Sequence, residues 1–233
     1  MILLTRPIID SIILEKKLSQ MNLKSIICPM LEVKRISYSN SILKKKIDLI
    51  IFTSKNGIRN FDKDNFLGHT VFTIGRGTFL FAKSLGYKNV FNANGDSTDL
   101  VKLFIKKFSE RKLNILHPTS KEKNNTLDCF FLEQGSNYIN LRVYETLKNN
   151  VSSDKLRLFF SINYGIITLF SLKTAESFLN AITEMSLEQN CHDKVLIVMS
   201  KVIKEKMHHI SFKKIIVIKK PNQENLLSVI AAL

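Results

Sequence analysis

Short apolar runs recur along this chain with amphipathic stretches between them, and that alternation restricts the fold more than any other feature. Strands are expected at residues 2–5, 25–28, 49–53, 71–74, 90–91, 114–116, 138–143, 166–170, 195–198 and 215–218. Most are continuous runs of Ile, Leu, Val and Phe rather than alternating ones, the pattern of strands covered on both faces by helices. Between them, Leu100, Leu103, Phe104 and Phe108 keep helical spacing, as do Ala175, Phe178, Leu179 and Ile182. Gly86 follows Leu85 where a helix would stop, in the manner of a C′ glycine. Regular strand–helix alternation implies an α/β protein with doubly wound parallel sheets.

The count points to two domains. Residues 48–61 and 165–178 both read as strand, hydroxyl-bearing turn and helix, with Ile50/Ile167, Ser54/Ser171 and Phe61/Phe178 coinciding without a gap. Two domains of five strands each account for ten strands better than one sheet of ten. The polar tract 148–154 is expected to be a surface loop or linker.

At 233 residues and 45% apolar, the chain is long enough for two compact cores. No stretch approaches the roughly 20 apolar residues that span a bilayer. Arg6 and Pro7 follow Met1 too soon for a signal peptide, so a soluble cytoplasmic protein is expected. Cys28, Cys129 and Cys191 are scattered and odd in number, which argues against a disulfide framework or a zinc site. The five histidines, His69, His117, His192, His208 and His209, form no ligand spacing, and no metal is expected. The net charge of +15 suits a nucleic acid, an acidic membrane or a small polyanion. Abundant Lys, Ile and Asn fit an AT-rich coding bias equally well, so the placement of charge matters more than its total.

That placement is informative. Ligands of open α/β sheets bind beyond the carboxyl ends of the strands, where helix N-termini offer N–H groups and partial positive charge. Six such loops pair hydroxyls or glycine with a cation: Thr5-Arg6, Thr53-Ser54-Lys55, Gly75-Arg76-Gly77-Thr78, Thr119-Ser120-Lys121, Ser171-Leu172-Lys173-Thr174 and Ser200-Lys201. A seventh, Asn94-Gly95-Asp96, carries an acid instead. Ordinary helix capping explains the hydroxyls by themselves; a ligand with several anionic groups explains hydroxyls and cations together. No Walker-type loop occurs, Leu80 stands where a dinucleotide fingerprint needs its third glycine, and there is no nucleophile elbow. An enzyme built this way would work by holding and shaping its substrate. Tyr144, at the end of Leu141-Arg142-Val143-Tyr144-Glu145-Thr146, has two readings: a phenol that protonates a leaving group or binds a carboxylate, or a packing residue.

At these residues the chain resembles the uroporphyrinogen-III synthase family. Leu3-Leu4-Thr5-Arg6-Pro7 matches its opening strand, Cys28-Pro29-Met30-Leu31-Glu32 an early proline-containing strand, and Phe52-Thr53-Ser54-Lys55-Asn56-Gly57-Ile58 its F-T-S-x-N-G-V turn. Val71 to Thr78, with Gly75, follows the V-x-x-I-G-x-x-T turn; Ala82 to Gly86 follows A-x-x-x-G; Val143-Tyr144-Glu145-Thr146 follows V-Y-E-T; Pro221 before Leu226-Leu227 follows the family's close. The ordered set spans nearly the whole chain. It departs from the family in the second half, where Leu169-Phe170-Ser171-Leu172-Lys173 and Val198-Met199-Ser200-Lys201-Val202 replace F-T-S-P-S and I-G-x-T-T.

The resemblance implies two α/β domains joined by a two-stranded connector, with residues 1–35 and 146–233 forming one discontinuous domain, residues 36–145 an inserted one, and the active site in the cleft between them. It implies cyclisation of the linear tetrapyrrole hydroxymethylbilane with inversion of its last ring and loss of water, through an azafulvene and a spiro intermediate, without metal or organic cofactor. The substrate would be a small-molecule polycarboxylate with eight carboxylates, with which a hand-off from the preceding bilane-forming enzyme is compatible; nothing in the sequence demands a dimer, so a monomer is expected. By the same likeness Tyr144 would protonate the departing hydroxyl. Thr53, Ser54, Asn56, Gly57 and Thr78 would lie on substrate-facing turns, and Thr5, Arg6, Lys55, Ser171 and Lys173 would meet carboxylates. Two other classes compete: a non-catalytic polyanion- or tetrapyrrole-binding protein on the same fold, which the altered second half permits, and a nucleic-acid-binding protein, for which the charge is the sole argument.

Overall fold

The computed structural model describes residues 1–233 except 40, 110, 121–124 and 220, and does not describe the side chains of Leu43 and Asn125. Among the described residues there are eleven strands and nine α-helices. The strands are β1 (Ile2–Leu4), β2 (Ser25–Ile27), β3 (Leu31–Arg35), β4 (Leu49–Phe52), β5 (Thr70–Thr73), β6 (Asn89–Asn92), β7 (Asn114–Ser120), β8 (Asn137–Lys148), β9 (Gly165–Leu169), β10 (Lys194–Val198) and β11 (Lys214–Val217). The helices are α1 (Ile8–Gln20), α2 (Lys55–Arg59), α3 (Arg76–Ser84), α4 (Ser97–Phe108), α5 (Asn125–Glu133), α6 (Ser153–Phe160), α7 (Leu172–Glu184), α8 (Lys201–Lys206) and α9 (Gln223–Ala231). None is long and apolar enough to cross a membrane.

The chain divides into two compact units, Met1–Glu32 with Leu147–Leu233, and Val33–Thr146. The first holds a sheet of order β2-β1-β9-β10-β11, every neighbouring pair parallel. Its strands come from both ends of the chain, so this domain is discontinuous in sequence. The second sheet has the order β3-β8-β7-β4-β5-β6, with β8, β7, β4, β5 and β6 parallel. The winding reverses between β1 and β9 in the first sheet and between β4 and β7 in the second. Such switch points open a crevice beyond the strands' carboxyl ends.

Packing follows the sequence pattern. All four residues of β4 are buried, because helices cover both faces. Ile50, Phe52, Val71 and Leu116 meet α2 and α3 on one side, while Leu49, Ile51, Phe72 and Ile115 meet α4 and α5 on the other. In the first unit one cluster runs from Leu3, Leu14 and Leu18 through Phe159, Ile167 and Phe178 to Leu226. On α7, Thr174, Ala175, Ser177, Phe178, Ala181 and Ile182 face inward with helical period. Gly86 adopts φ +93° and ends α3, with Tyr87 N–H donating to the Ala82 carbonyl.

Three expectations change. The second sheet has six strands rather than five, because Leu31–Arg35 pairs as β3 beside β8. Its burial is Leu31 buried, Glu32 exposed, Val33 half-buried and the last two exposed, an edge pattern that a search for continuous apolar runs passes over. The strand expected at 138–143 continues to Lys148, so Tyr144 lies inside β8 rather than at its end. The linker expected at 148–154 shrinks to residues 149–152, since Lys148 still belongs to β8 and Ser153 opens α6.

Candidate functional site

In the second unit the residues with chemical capacity gather where β4 and β7 part. Beyond Phe52, Ser54 leaves the strand extended (φ −148°, ψ 158°) and caps α2, its Oγ accepting from Gly57 N–H at 3.2 Å. Glycine is required at position 57 because a Cβ there would lie 2.5 Å from the Pro118 carbonyl oxygen of β7. That close approach brings the start of α2 against the neighbouring strand. Tyr144 then reaches Ser54, Oη to Oγ 2.9 Å, across 90 residues of sequence. The ring is 7% exposed and belongs to the core cluster on the α2/α3 side. The Tyr144 ring thus packs inside the second unit's core, and its hydroxyl lies at the serine that caps α2.

Around this pair, Lys55 extends over the next loop: a Cβ on Gly77 would sit 3.4 Å from Lys55 Cε and 3.8 Å from Nζ. Gly75 stands at the N-cap of α3, and Thr78 on its first turn is buried. The Asn56 side-chain oxygen accepts from Arg59 Nη1 at 3.1 Å, a contact within α2. The loop after β6 ends in a capping box, Asp96 bonding the Thr98 and Asp99 N–H groups, which explains its acidic residue. Of Thr119-Ser120-Lys121, the lysine lies outside the described residues.

One residue had no assigned role from sequence. His117 on β7 is fully buried, with Nε2 3.2 Å from Thr53 Oγ1 and Nδ1 2.5 Å from Tyr138 Oη. Burial pushes its pKa down to about 3, so the ring is neutral. Tyr138, stacked on Phe131, has its pKa raised by burial first and by the charge of Asp128 second. A histidine inside the Leu116-His117-Pro118-Thr119 strand, at its carboxyl half, was the available signal.

In the first unit the corresponding loops surround the β1/β9 switch. Ser171 caps α7 with nearly the backbone angles of Ser54 (φ −147°, ψ 159°), its Oγ accepting from Thr174 N–H at 3.1 Å. Ser200 caps α8 the same way through Ile203 N–H. The repeat seen in the sequence is therefore a repeat of geometry. Lys173 is half-buried on the first turn of α7, and Lys201 is exposed. Arg6 bonds Asp10 at 2.8 Å and lies 4.4 Å over the Phe170 ring, so part of its charge is already balanced.

Thr5 departs from the expected ligand role. It is fully buried and its hydroxyl donates to the Thr168 carbonyl, while the Thr168 hydroxyl donates to the Leu3 carbonyl. A hydroxyl just past a central strand, away from water, must take a backbone acceptor, and this reciprocal pair ties β1 to β9. A 430 Å³ cavity of this unit lies at the opposite, amino ends of the strands, beside Met1, Tyr164 and Lys213. Among the described residues no group of three His, Cys, Asp or Glu side chains could hold a metal ion.

Each sheet, taken by itself, carries helix N-termini, hydroxyls and cations at the carboxyl ends of its strands, and in the second unit the Tyr144 hydroxyl lies against Ser54. Two solved structures share the fold. A mutant uroporphyrinogen III synthase from Thermus thermophilus aligns over 100% of this chain and 98% of its own, at 11% identity and a TM-score of 0.56. A uroporphyrinogen-III synthetase from Helicobacter pylori aligns over 90% and 92%, at 15% identity and a TM-score of 0.60. No curated protein sequence matches the chain. The family described as uroporphyrinogen-III synthase HemD matches residues 13–228, nearly the whole length. The chain belongs to the uroporphyrinogen-III synthase HemD family.

Proposed function

We propose that this protein cyclises hydroxymethylbilane to the type III uroporphyrinogen, inverting the last ring and releasing water. Membership of the family supports the reading, and the single observation that carries it is the Tyr144–Ser54 pair at the N-terminus of α2. Ser54 Oγ already accepts from Gly57 N–H, so its own hydrogen can be donated to Tyr144 Oη, and the phenol carries a proton that it can give to the substrate. As the substrate's C–O bond breaks, that proton joins the departing hydroxyl and water leaves. The phenolate formed is stabilised by the Ser54 hydroxyl and the helix N-terminus, and recovers its proton when the last ring sheds one on closure. Ring inversion asks for restricted conformers rather than a second strong acid or base. Each loop set by itself offers amide, hydroxyl and cation groups that suit carboxylates: Lys55 in the second unit, and Arg6, Ser171 and Lys173 in the first.

A second reading, a non-catalytic tetrapyrrole-binding protein, is favoured by two features of the first unit: Ser200-Lys201 stands where a glycine–hydroxyl turn is the family's pattern, and Arg6 is engaged by Asp10. The deciding experiment feeds the purified protein hydroxymethylbilane generated in a coupled assay and separates the product isomers. Type III product without added cofactor supports the synthase; type I product alone, with retained binding of the tetrapyrrole, supports the second reading.

A further inference from the structure

The line Tyr138–His117–Thr53 crosses the second sheet from β8 through β7 to the end of β4, at the switch point and on the α4/α5 side. Its hydrogen-bond directions follow from what each group can donate. The imidazole is neutral, so it carries one N–H and one lone pair. Tyr138 keeps its phenol proton, and its hydroxyl has His117 Nδ1 as its hydrogen-bond partner. Asp128, the carboxylate nearest in effect, accepts instead from Asn140 Nδ2 at 3.2 Å. A phenol is a better donor than acceptor, and an imidazole lone pair is a good acceptor. The proton on Tyr138 is therefore given to Nδ1, the ring proton sits on Nε2, and Nε2–H donates to Thr53 Oγ1. Thr53, itself half-buried just past β4, cannot then donate back to the ring, and its own O–H is directed to an acceptor other than His117.

We infer that His117 and Tyr138 are positioning residues that hold the Thr53 hydroxyl as an obligate hydrogen-bond donor, so that it selects an anionic oxygen of the bound polycarboxylate. The inference rests on the synthase reading for its substrate, but its hydrogen-bond polarity stands independently. The opposite tautomer would make Thr53 donate to Nε2 and present only lone pairs to a carboxylate, while stranding the buried Tyr138 hydrogen.

Nitrogen-15 NMR of the protein labelled at histidine rings tests this directly, with His117 assigned from the signals lost in His117→Gln. The expected spectrum shows the Nε2-protonated neutral tautomer, unchanged from pH 8 to pH 5; the Nδ1-protonated form would overturn the inference. Binding is read by titrating uroporphyrin I, a porphyrin octacarboxylate, and turnover by the isomer assay. Thr53→Val and His117→Leu should each weaken uroporphyrin binding and raise KM by about 10-fold, the worth of one hydrogen bond to a charged group. Their kcat should stay within about twofold of wild type, since the lost contact binds rather than reacts. His117→Gln, which offers an amide N–H near the place of Nε2, should recover most of the affinity. Equal affinity of Thr53→Val and wild type for uroporphyrin overturns the inference, and this holds even if His117→Leu fails to fold. Absence of type III product from the wild type would instead strike the synthase reading and leave the tautomer result to decide the polarity of Thr53.

Discussion

Substituting Gly57 by alanine sets two physical effects of opposite sign against each other. Gly57 lies within α2, where alanine is favoured over glycine by about 1 kcal/mol of helix propensity. On propensity alone, Gly57→Ala should stabilise the protein. The structure reverses the sign, because the new methyl would stand 2.5 Å from the Pro118 carbonyl oxygen and 3.6 Å from Phe52 Cδ1. The first neighbour is backbone in a central strand, so relief requires α2 or β7 to move. Overpacking costs about 1–3 kcal/mol, and a backbone obstacle belongs to the upper half of that range, which leaves a net loss of about 1–2 kcal/mol after the propensity gain. Urea unfolding followed by far-UV circular dichroism measures it; the chain has no tryptophan, so fluorescence is a poor probe. Gly68→Ala is the control, since nothing lies within 4 Å of its Cβ position. The same displacement would carry Ser54 away from Tyr144, so type III product formation should fall together with stability. A Gly57→Ala protein as stable as wild type or more so would refute the close packing of α2 on β7, and with it the placement of the Ser54–Tyr144 pair.

Tyr144→Phe should leave stability nearly unchanged, because the ring keeps its packing, while kcat for type III product falls about 10²–10⁴-fold as expected for loss of a general acid; near-normal turnover would return Tyr144 to packing alone. The acid limb of stability should carry the signature of His117, whose pKa falls from 6.5 unfolded to about 3 folded. Below pH 6.5 the unfolded chain binds the proton that the native state refuses, so stability is lost as pH falls, by about 2 kcal/mol at pH 5. His117→Gln should flatten unfolding free energy between pH 6.5 and pH 5, and identical slopes would contradict the buried neutral ring. Burial pushes the Cys28 and Cys191 thiols up to about 11 and about 12, whereas Cys129 is exposed. Mass spectrometry after iodoacetamide at pH 8 should find a single modified cysteine in the native protein and three after denaturation.

Much of the fold was readable because it depends on near neighbours. Runs such as Leu49–Phe52 announce a strand buried on both faces. A serine three residues before the N–H it caps, as in Ser54 with Gly57 and Ser171 with Thr174, announces a helix start. β3 escaped because one face of an edge strand meets water and breaks the apolar run. In the site, the sequence marks which loops carry hydroxyls and cations, but not where each hydroxyl points. Thr5 and Thr53 look alike as strand-end threonines; one is spent on the Thr168 carbonyl and the other meets His117.

Taken by itself, then, the sequence determined the alternation of strands and helices, the caps, and the family to which those motifs belong. Only the tertiary structure decided that Ser54 meets Tyr144, that Thr53 meets His117, and that Thr5 is sealed inside its sheet. The physical reason is sequence distance: partners 64, 90 and 163 residues apart meet through the parallel register of strands joined by helical crossovers, and no local pattern encodes that register.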